Sequence, residues 1–177
     1  MKSSNEKTLI LAAYSIMAVL LFVVESVIPK PLPFMRIGLA NVFILLILVQ
    51  IGFFPALVVT LTKVIIGNLF SGLLFTPLVL FSLVSSIVSL AVMWTLYKSR
   101  ISFSMIGVSI AGALSHMLTQ LVLGYFLFIH SSRIFALLPI VLLVGLISGL
   151  ITGMLVIILY KNIRLSFDSS MESCEKM

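Results

Sequence analysis

The sequence predicts an all-α integral membrane protein with six transmembrane helices. Its 177 residues are 62% apolar and only 9% charged, and the mean hydropathy is +1.33. Soluble domains are about 45–50% apolar and about 25% charged, so this chain has too few polar residues to cover its surface in water. A membrane helix needs about 20 residues, which allows about six spans and no separate soluble domain. The composition therefore excludes soluble enzymes, disordered regulators and disulfide-rich secreted modules.

Apolar blocks separated by turn residues divide the chain into three regions and six spans. Residues 1–8 form a polar leader, residues 9–160 the six-helix membrane domain, and residues 161–177 a polar tail. The predicted spans cover residues 9–28, 37–50, 56–70, 74–97, 105–128 and 134–160. The first block is too long for the apolar region of a signal peptide and lacks a small-residue cleavage site, so no cleavable signal is predicted.

Proline and glycine mark the connections between these spans. The segment 29–36 has three prolines at alternating positions, which cannot continue a helix. Gly52 and Pro55 indicate a tight turn between the second and third spans, and Gly72 indicates another before the fourth. The second and third spans are short for a full bilayer crossing.

The distribution of basic residues predicts that both termini lie in the cytoplasm. With the N-terminus inside, the inner segments hold seven of the Lys and Arg residues, whereas the outer loops hold Lys30, Arg36 and Arg133. Basic residues concentrate on the cytoplasmic side of membrane proteins. They are also scattered singly between apolar blocks, so the net charge of +6 reflects topology and predicts no nucleic-acid partner.

Polar residues inside the apolar spans predict a ligand site in the outer half of the membrane. Intramembrane ionisable groups are costly and usually face a protein interior or a water-filled cavity. The predicted topology places nearly all of these polar residues in the outer half of the membrane. His116 and Gln120 lie four residues apart and so share one helix face. The segment 29–36 would cover this cavity. The predicted substrate-binding residues are Glu25, Lys30, Arg36, Asn41, Lys63, Asn68, His116 and Gln120.

Cations outnumber the one carboxylate in this set, which favours a small anionic or zwitterionic ligand. Each residue also has a structural alternative. These alternatives are an interfacial ion pair for Glu25, snorkelling for Lys63, an interhelical hydrogen bond for His116, and helix capping for Asn41 and Asn68.

Small residues indicate close helix packing. Gly145, Gly149 and Gly153 recur every four residues in the sixth span and form one ridge that lets another helix approach closely. The first span offers Ala12 and Ser15 among its small residues. Packing within the six-helix bundle is one interpretation, and docking to another membrane subunit is the other.

Motifs for catalysis are absent from the sequence. There is no G-x-x-x-x-G-K-[ST] motif, so the chain is not a P-loop ATPase. Asp168 is the only aspartate, which leaves no Asp-rich magnesium site and no Ser/His/Asp triad. Cys174 is the only cysteine, which excludes an intramolecular disulfide. We therefore expect no catalytic residues, no metal site and no cofactor.

The stretch ESVIPKPLPFMRIGLAN, residues 25–41, resembles the Gx transporter family, which is also labelled heptaprenyl diphosphate synthase component I. In that family an E-S-x-I-P-x-P-x-P segment closes the first span and G-L-A-N opens the second. The resemblance covers about residues 8–165. The six-span size also resembles the substrate-binding S components of energy-coupling factor (ECF) vitamin transporters.

This resemblance implies an S-component-like bundle in a bacterial cell membrane, with an outward-facing site lidded by the loop after the first span. It also implies docking on a transmembrane coupling subunit and two ATPase subunits. S components often carry an A-x-x-x-A pattern on the first span for that docking. This chain departs from the pattern, since Ala12, Ala13 and Ala18 have other spacings.

Three functions follow as hypotheses. The first is a substrate-binding membrane subunit of a small-molecule importer of the ECF type. The second is a membrane accessory subunit of a heptaprenyl or polyprenyl diphosphate synthase, which would anchor a soluble catalytic partner. The third is an ion-coupled carrier that works alone, with Glu25 or His116 as the proton site.

Overall fold

The computed structural model describes residues 4–27, 38–99, 103–130 and 132–175, and these residues form helices joined by short turns, with no β-strand among them. The predicted all-α class is therefore confirmed. A π-helical turn, Tyr125–Ile129, continues the fifth helix, and a 3-10 segment, Ser132–Leu137, precedes the sixth. The α-helices are α1 (Ser4–Val27), α2 (Asn41–Gln50), α3 (Phe53–Phe70), α4 (Leu78–Lys98), α5 (Met105–Gly124) and α6 (Leu138–Glu175).

The protein is a multi-pass membrane protein. Within the described ranges, five segments are helical, long and apolar enough to cross a bilayer. The exception is α2, whose 10 residues span only about 15 Å at 1.5 Å per residue, against a hydrocarbon core of about 30 Å. The six-span count and the cytoplasmic termini stay predictions. The five segments are Thr8–Ser26, Phe53–Phe70, Leu78–Lys98, Met105–Phe128 and Ile134–Asn162.

The helix bounds differ from the predicted spans at several ends. Helix α6 continues to Glu175, through most of the segment predicted as a polar tail, α1 begins already at Ser4, and α4 begins only at Leu78. Helix α2 begins at Asn41, four residues after the predicted start, because Gly38 has a φ of +86° and leads into a turn. The backbone amide of Asn41 donates to the carbonyl of Gly38 at 2.9 Å in that turn. Helix α3 begins already at Phe53, and Pro55 lies in its first turn, where a missing N–H costs no helical hydrogen bond.

The short helix α2 lies at the centre of the bundle and contacts α1, α3, α4 and α6. Five consecutive residues, Ile44 to Leu48, are buried, so α2 is apolar all round. A helix without a polar face is typical of a position enclosed by other helices. Helices α1, α3, α4 and α6 pack around it. The outer helices expose large apolar side chains, among them Ile16, Ile66 and Leu143, as expected for surfaces that face lipid.

Helices α4, α5 and α6 form one closely packed group. A Cβ built on Gly149 of α6 would lie 2.5 Å from the Cα of Ile110 in α5, so the two backbones touch at the glycine ridge. Ser109 and Thr152 share a hydrogen bond of 2.6 Å across the same interface. The glycine ridge predicted from the sequence therefore packs against α5, a helix of the same chain.

Helices α1, α2 and α3 form the second group. Gly67 of α3 lies directly beneath the ring of Phe22 in α1, and no Cβ would fit between them. Near one end of this interface, the hydroxyl of Ser71 donates to the hydroxyl of Ser26 at 3.1 Å. Farther along α1, the side-chain amide of Gln50 donates to the hydroxyl of Tyr14 at 3.3 Å.

Candidate functional site

A buried cluster of polar groups joins the two groups of helices. It takes side chains from α1, α2, α3, α4 and α5, together with the turn before α2. All of these groups are buried except Leu39, which is half-buried, although each one would gain hydrogen bonds with water if it were exposed. We call them the polar cluster: Glu25, Gly38, Leu39 through its backbone amide, Asn41, Lys63, Ser85, His116 and Gln120.

Glu25 ties the end of α1 to the start of α2. One carboxylate oxygen accepts the backbone amide of Gly38 at 2.6 Å, and the other accepts the amide of Leu39 at 3.1 Å. The carboxylate thus lies close to the N-terminal end of α2, where the helix dipole favours a negative charge. Only 2% of Glu25 is exposed, so these two amides replace water around it.

Lys63 places an ammonium group inside the bundle. Its Nζ donates to the side-chain oxygen of Asn41 at 2.6 Å, and only 2% of the residue is exposed. Lys63 lies on the face of α3 that also buries Val59, Thr60 and Gly67, so the helix directs this side chain towards α2. The pair brings a cation and an amide to the start of α2.

Ser85, His116 and Gln120 form the part of the cluster that α4 and α5 contribute. The His116 Nε2 and the Ser85 hydroxyl lie 3.1 Å apart, and the Gln120 amide donates to the same hydroxyl at 3.4 Å. The Ser85 hydroxyl also donates to the carbonyl of Phe81 in its own helix. His116 and Gln120 lie four residues apart and so share a face of α5, as the sequence predicted.

Gly38 lies where the two parts of the cluster meet. A Cβ built on it would lie 3.1 Å from the Asn41 Nδ2 and 3.7 Å from the His116 Nδ1. Asn41 and His116 therefore flank the same point of the backbone. A larger residue here would crowd Asn41, and the positive φ would strain any side chain.

The other predicted site residues have different positions. Asn68 is buried in α3 and donates to the carbonyl of Val64 at 2.7 Å, one turn earlier in the same helix. Lys30 and Arg36 lie outside the described residues. On α1, Ala12 is exposed, whereas Ser15 is half-buried and donates to the carbonyl of Leu11 at 2.7 Å.

Three members of the cluster, Gly38, Leu39 and Ser85, were not among the predicted substrate-binding residues. Leu39 contributes only its backbone amide. Ser85 belongs to a series of buried serines in α4, at positions 82, 85, 86 and 89. Gly38 enters through its backbone amide and its positive φ. The serine spacing of three to four residues was the available signal for Ser85, because it marks one helix face.

The cluster offers one cation, one carboxylate and several neutral hydrogen-bonding groups within a low-dielectric interior. Hydrogen bonds and contacts between charges are stronger in such an interior than in water. Across the described part of the chain, no three His, Cys, Asp or Glu residues lie close enough together to hold a metal ion.

Comparisons with known proteins fit this all-helical membrane architecture. A solved structure of the S component of a bacterial ECF transporter is similar to the chain, with a TM-score of 0.71 and 20% sequence identity. The match covers 93% of this chain and 99% of that one, so the two share a fold. No curated protein gives a significant match. The family model described as heptaprenyl diphosphate synthase component I matches residues 14–159, and the chain therefore belongs to that family.

Proposed function

We propose that the protein is the substrate-binding membrane subunit of a small-molecule importer of the ECF type. The main support is the polar cluster, because a membrane protein rarely buries ionisable groups without a functional reason. The S-component fold supports the same assignment, since the solved relative belongs to an ECF transporter. On this proposal, the partners are a transmembrane coupling subunit and two ATPase subunits, which would supply the nucleotide hydrolysis for which this chain has no P-loop.

The proposed ligand is a small anionic or zwitterionic molecule that enters from outside. Lys63 would hold its negative group, because an ammonium is the strongest donor to a carboxylate or phosphate in the described cluster. The Ser85, His116 and Gln120 side chains would hydrogen-bond the neutral part. Lys30, Arg36 and Asn68 remain proposed contributors, and Glu25 would position the backbone around Gly38.

Replacing Lys63 by methionine is expected to weaken ligand binding by roughly tenfold to a hundredfold. Hydrogen bonds to charged groups are worth about 1.5–3 kcal/mol, and methionine keeps the length and the apolar stem of the side chain. The measurement is the amount of small molecule that stays bound to the purified protein in native mass spectrometry. Lys98→Met is the matched control, because Lys98 is exposed and its Nζ lies 5.6 Å from the ring of Trp94, away from the cluster. Equal retention by both variants would contradict the assigned role of Lys63.

Gentle purification followed by mass spectrometry tests the importer assignment itself. We expect a coupling subunit and an ATPase pair to co-purify with the protein, and uptake to stop when either ATPase is deleted. Uptake that continues without any ATPase and depends on a proton or sodium gradient would instead favour the carrier that works alone.

The description of the family model supports a second candidate, a membrane accessory subunit of a prenyl diphosphate synthase. This candidate predicts that a soluble synthase co-purifies and that deletion shortens the quinone side chains. Quinone side chains of normal length in the deletion strain would exclude it and leave the importer assignment intact.

A further inference from the structure

An apolar groove lies beside the polar cluster, between the turn before α2 and the middle of α6. Its volume is about 270 Å³, close to the lower end of the range of small-molecule sites, which is about 300–1,000 Å³. Ile147 and Ile151 are about half exposed on α6, so the groove opens towards the lipid-facing side of the bundle. The lining residues are Leu39, Val144, Ile147, Ser148 and Ile151.

Leu39 borders both the groove and the polar cluster. Its side chain lines the groove, and its backbone amide donates to the Glu25 carboxylate at 3.1 Å. The preceding residue, Gly38, lies against the side chains of Asn41 and His116. One dipeptide thus borders charged and polar groups on one side and an apolar surface on the other.

A second groove provides a comparison. It has about 310 Å³ and lies between α1 and α3, where Ile16, Leu20, Ile66 and Phe70 contribute to its lining. Thr62 also lines it, but its hydroxyl donates at 2.9 Å to the carbonyl of Val58 in its own helix. None of its lining residues belongs to the polar cluster, so a hydrocarbon chain in this groove would have no group of the cluster beside it.

We propose that the ligand is amphipathic, with an anionic head group in the polar cluster and a hydrocarbon part in the groove between Leu39 and α6. This inference rests on the proposed function, whose head-group site it extends. Charge complementarity assigns the head group to Lys63 and Asn41. The apolar lining assigns the tail, because Ser148 is the one polar residue among the five that line the groove.

Binding of n-alkyl phosphates to the protein in nanodiscs tests this inference. The series is ethyl, butyl, hexyl and octyl phosphate, so that the head group stays constant while the tail grows. We expect the dissociation constant to fall about three- to fourfold for each added methylene until the groove is filled, because each one is removed from water. Binding of the same series to empty nanodiscs is subtracted.

Filling the groove identifies where the tail lies. Ile147→Trp is expected to abolish the increase in affinity with tail length and to leave the affinity for ethyl phosphate unchanged. Leu20→Trp, which fills the α1–α3 groove instead, is expected to preserve the increase in affinity with tail length. Ile151→Trp is the second variant for the same groove, in case Ile147→Trp does not fold.

Each outcome decides between the possible sources of hydrocarbon. If ethyl phosphate binds but Ile147→Trp keeps the full gain with tail length, the tail lies elsewhere and the inference is wrong, while the head-group site stands. If octanol binds the groove as tightly as octyl phosphate, and does so in Lys63→Met too, the groove holds membrane lipid and the inference is also wrong. If none of the alkyl phosphates binds, the anionic ligand of the proposed function is wrong, and the inference that rests on it is wrong as well.

Discussion

Replacing Glu25 by alanine is expected to lower the free energy of unfolding by about 3 kcal/mol and to abolish ligand binding. The change removes a carboxylate that accepts two backbone amides, and it leaves the buried Gly38 amide and the partly buried Leu39 amide without this acceptor. It also frees the turn that begins α2, so Asn41 would no longer hold the Lys63 ammonium in place. The unfolding free energy of the protein in detergent and the retention of ligand measure the two effects.

Two further variants separate this role from a general disturbance of α1. Glu25→Gln keeps one acceptor oxygen and should lose about half as much stability as the alanine variant. Ser26→Ala, at the next position of the same helix, removes only a hydroxyl that bonds the Val23 carbonyl at 2.6 Å and accepts from Ser71. We expect it to change stability by less than about 1 kcal/mol. A loss as large as that of Glu25→Ala would mean that the end of α1 is fragile throughout.

Replacing Gly149 by alanine is expected to destabilise the protein by about 2 kcal/mol. Alanine is the better helix former by about 1 kcal/mol, but the added methyl group would lie 2.5 Å from the Cα of Ile110. Backbone atoms cannot rotate away, so α5 and α6 must separate, and overpacking of this kind typically costs about 1–3 kcal/mol. Steric cost therefore exceeds the gain in helix propensity at this position.

The same glycine ridge supplies its own controls. A Cβ at Gly153 would lie 2.9 Å from the Cα of Ile106, whereas at Gly145 it would first meet a side-chain methyl of Leu114 at 3.1 Å. A methyl group can move, so Gly145→Ala should be nearly neutral, and Gly153→Ala should fall between the two. Thermal unfolding of the three variants checks this order. Three equal values would show that α5 and α6 do not approach as closely as described.

Hydropathy and turn residues predicted most of the fold because lipid requires long apolar helices with internally paired backbones. The start of α2 was one exception. Its apolar block is continuous with Ile37 in the sequence, but Gly38 has a positive φ and leads into a turn before the helix begins at Asn41. The Gly38 amide in that turn donates to Glu25, which lies 13 residues earlier, and no local pattern encodes this contact.

The polar cluster was predicted in part for a similar reason. Glu25, Asn41, Lys63, His116 and Gln120 were recognisable because polar groups are rare within apolar spans. The partners of Glu25 were not recognisable, because they are backbone amides, which carry no sequence signal. Sequence also left the partner of the glycine ridge open, since small residues permit a close approach without stating which helix makes it.

The two groups of helices contribute to the polar cluster almost equally. Glu25, Asn41 and Lys63 come from α1–α3, whereas Ser85, His116 and Gln120 come from α4 and α5. On the proposed function, a ligand that contacts both sets would act as a removable cross-link between the two groups of helices. Ligand binding would restrict the motion of the two groups relative to each other, and ligand release would restore it. A partner that contacts only the lipid-facing surface would then distinguish an occupied from an empty site by the mobility of the helices.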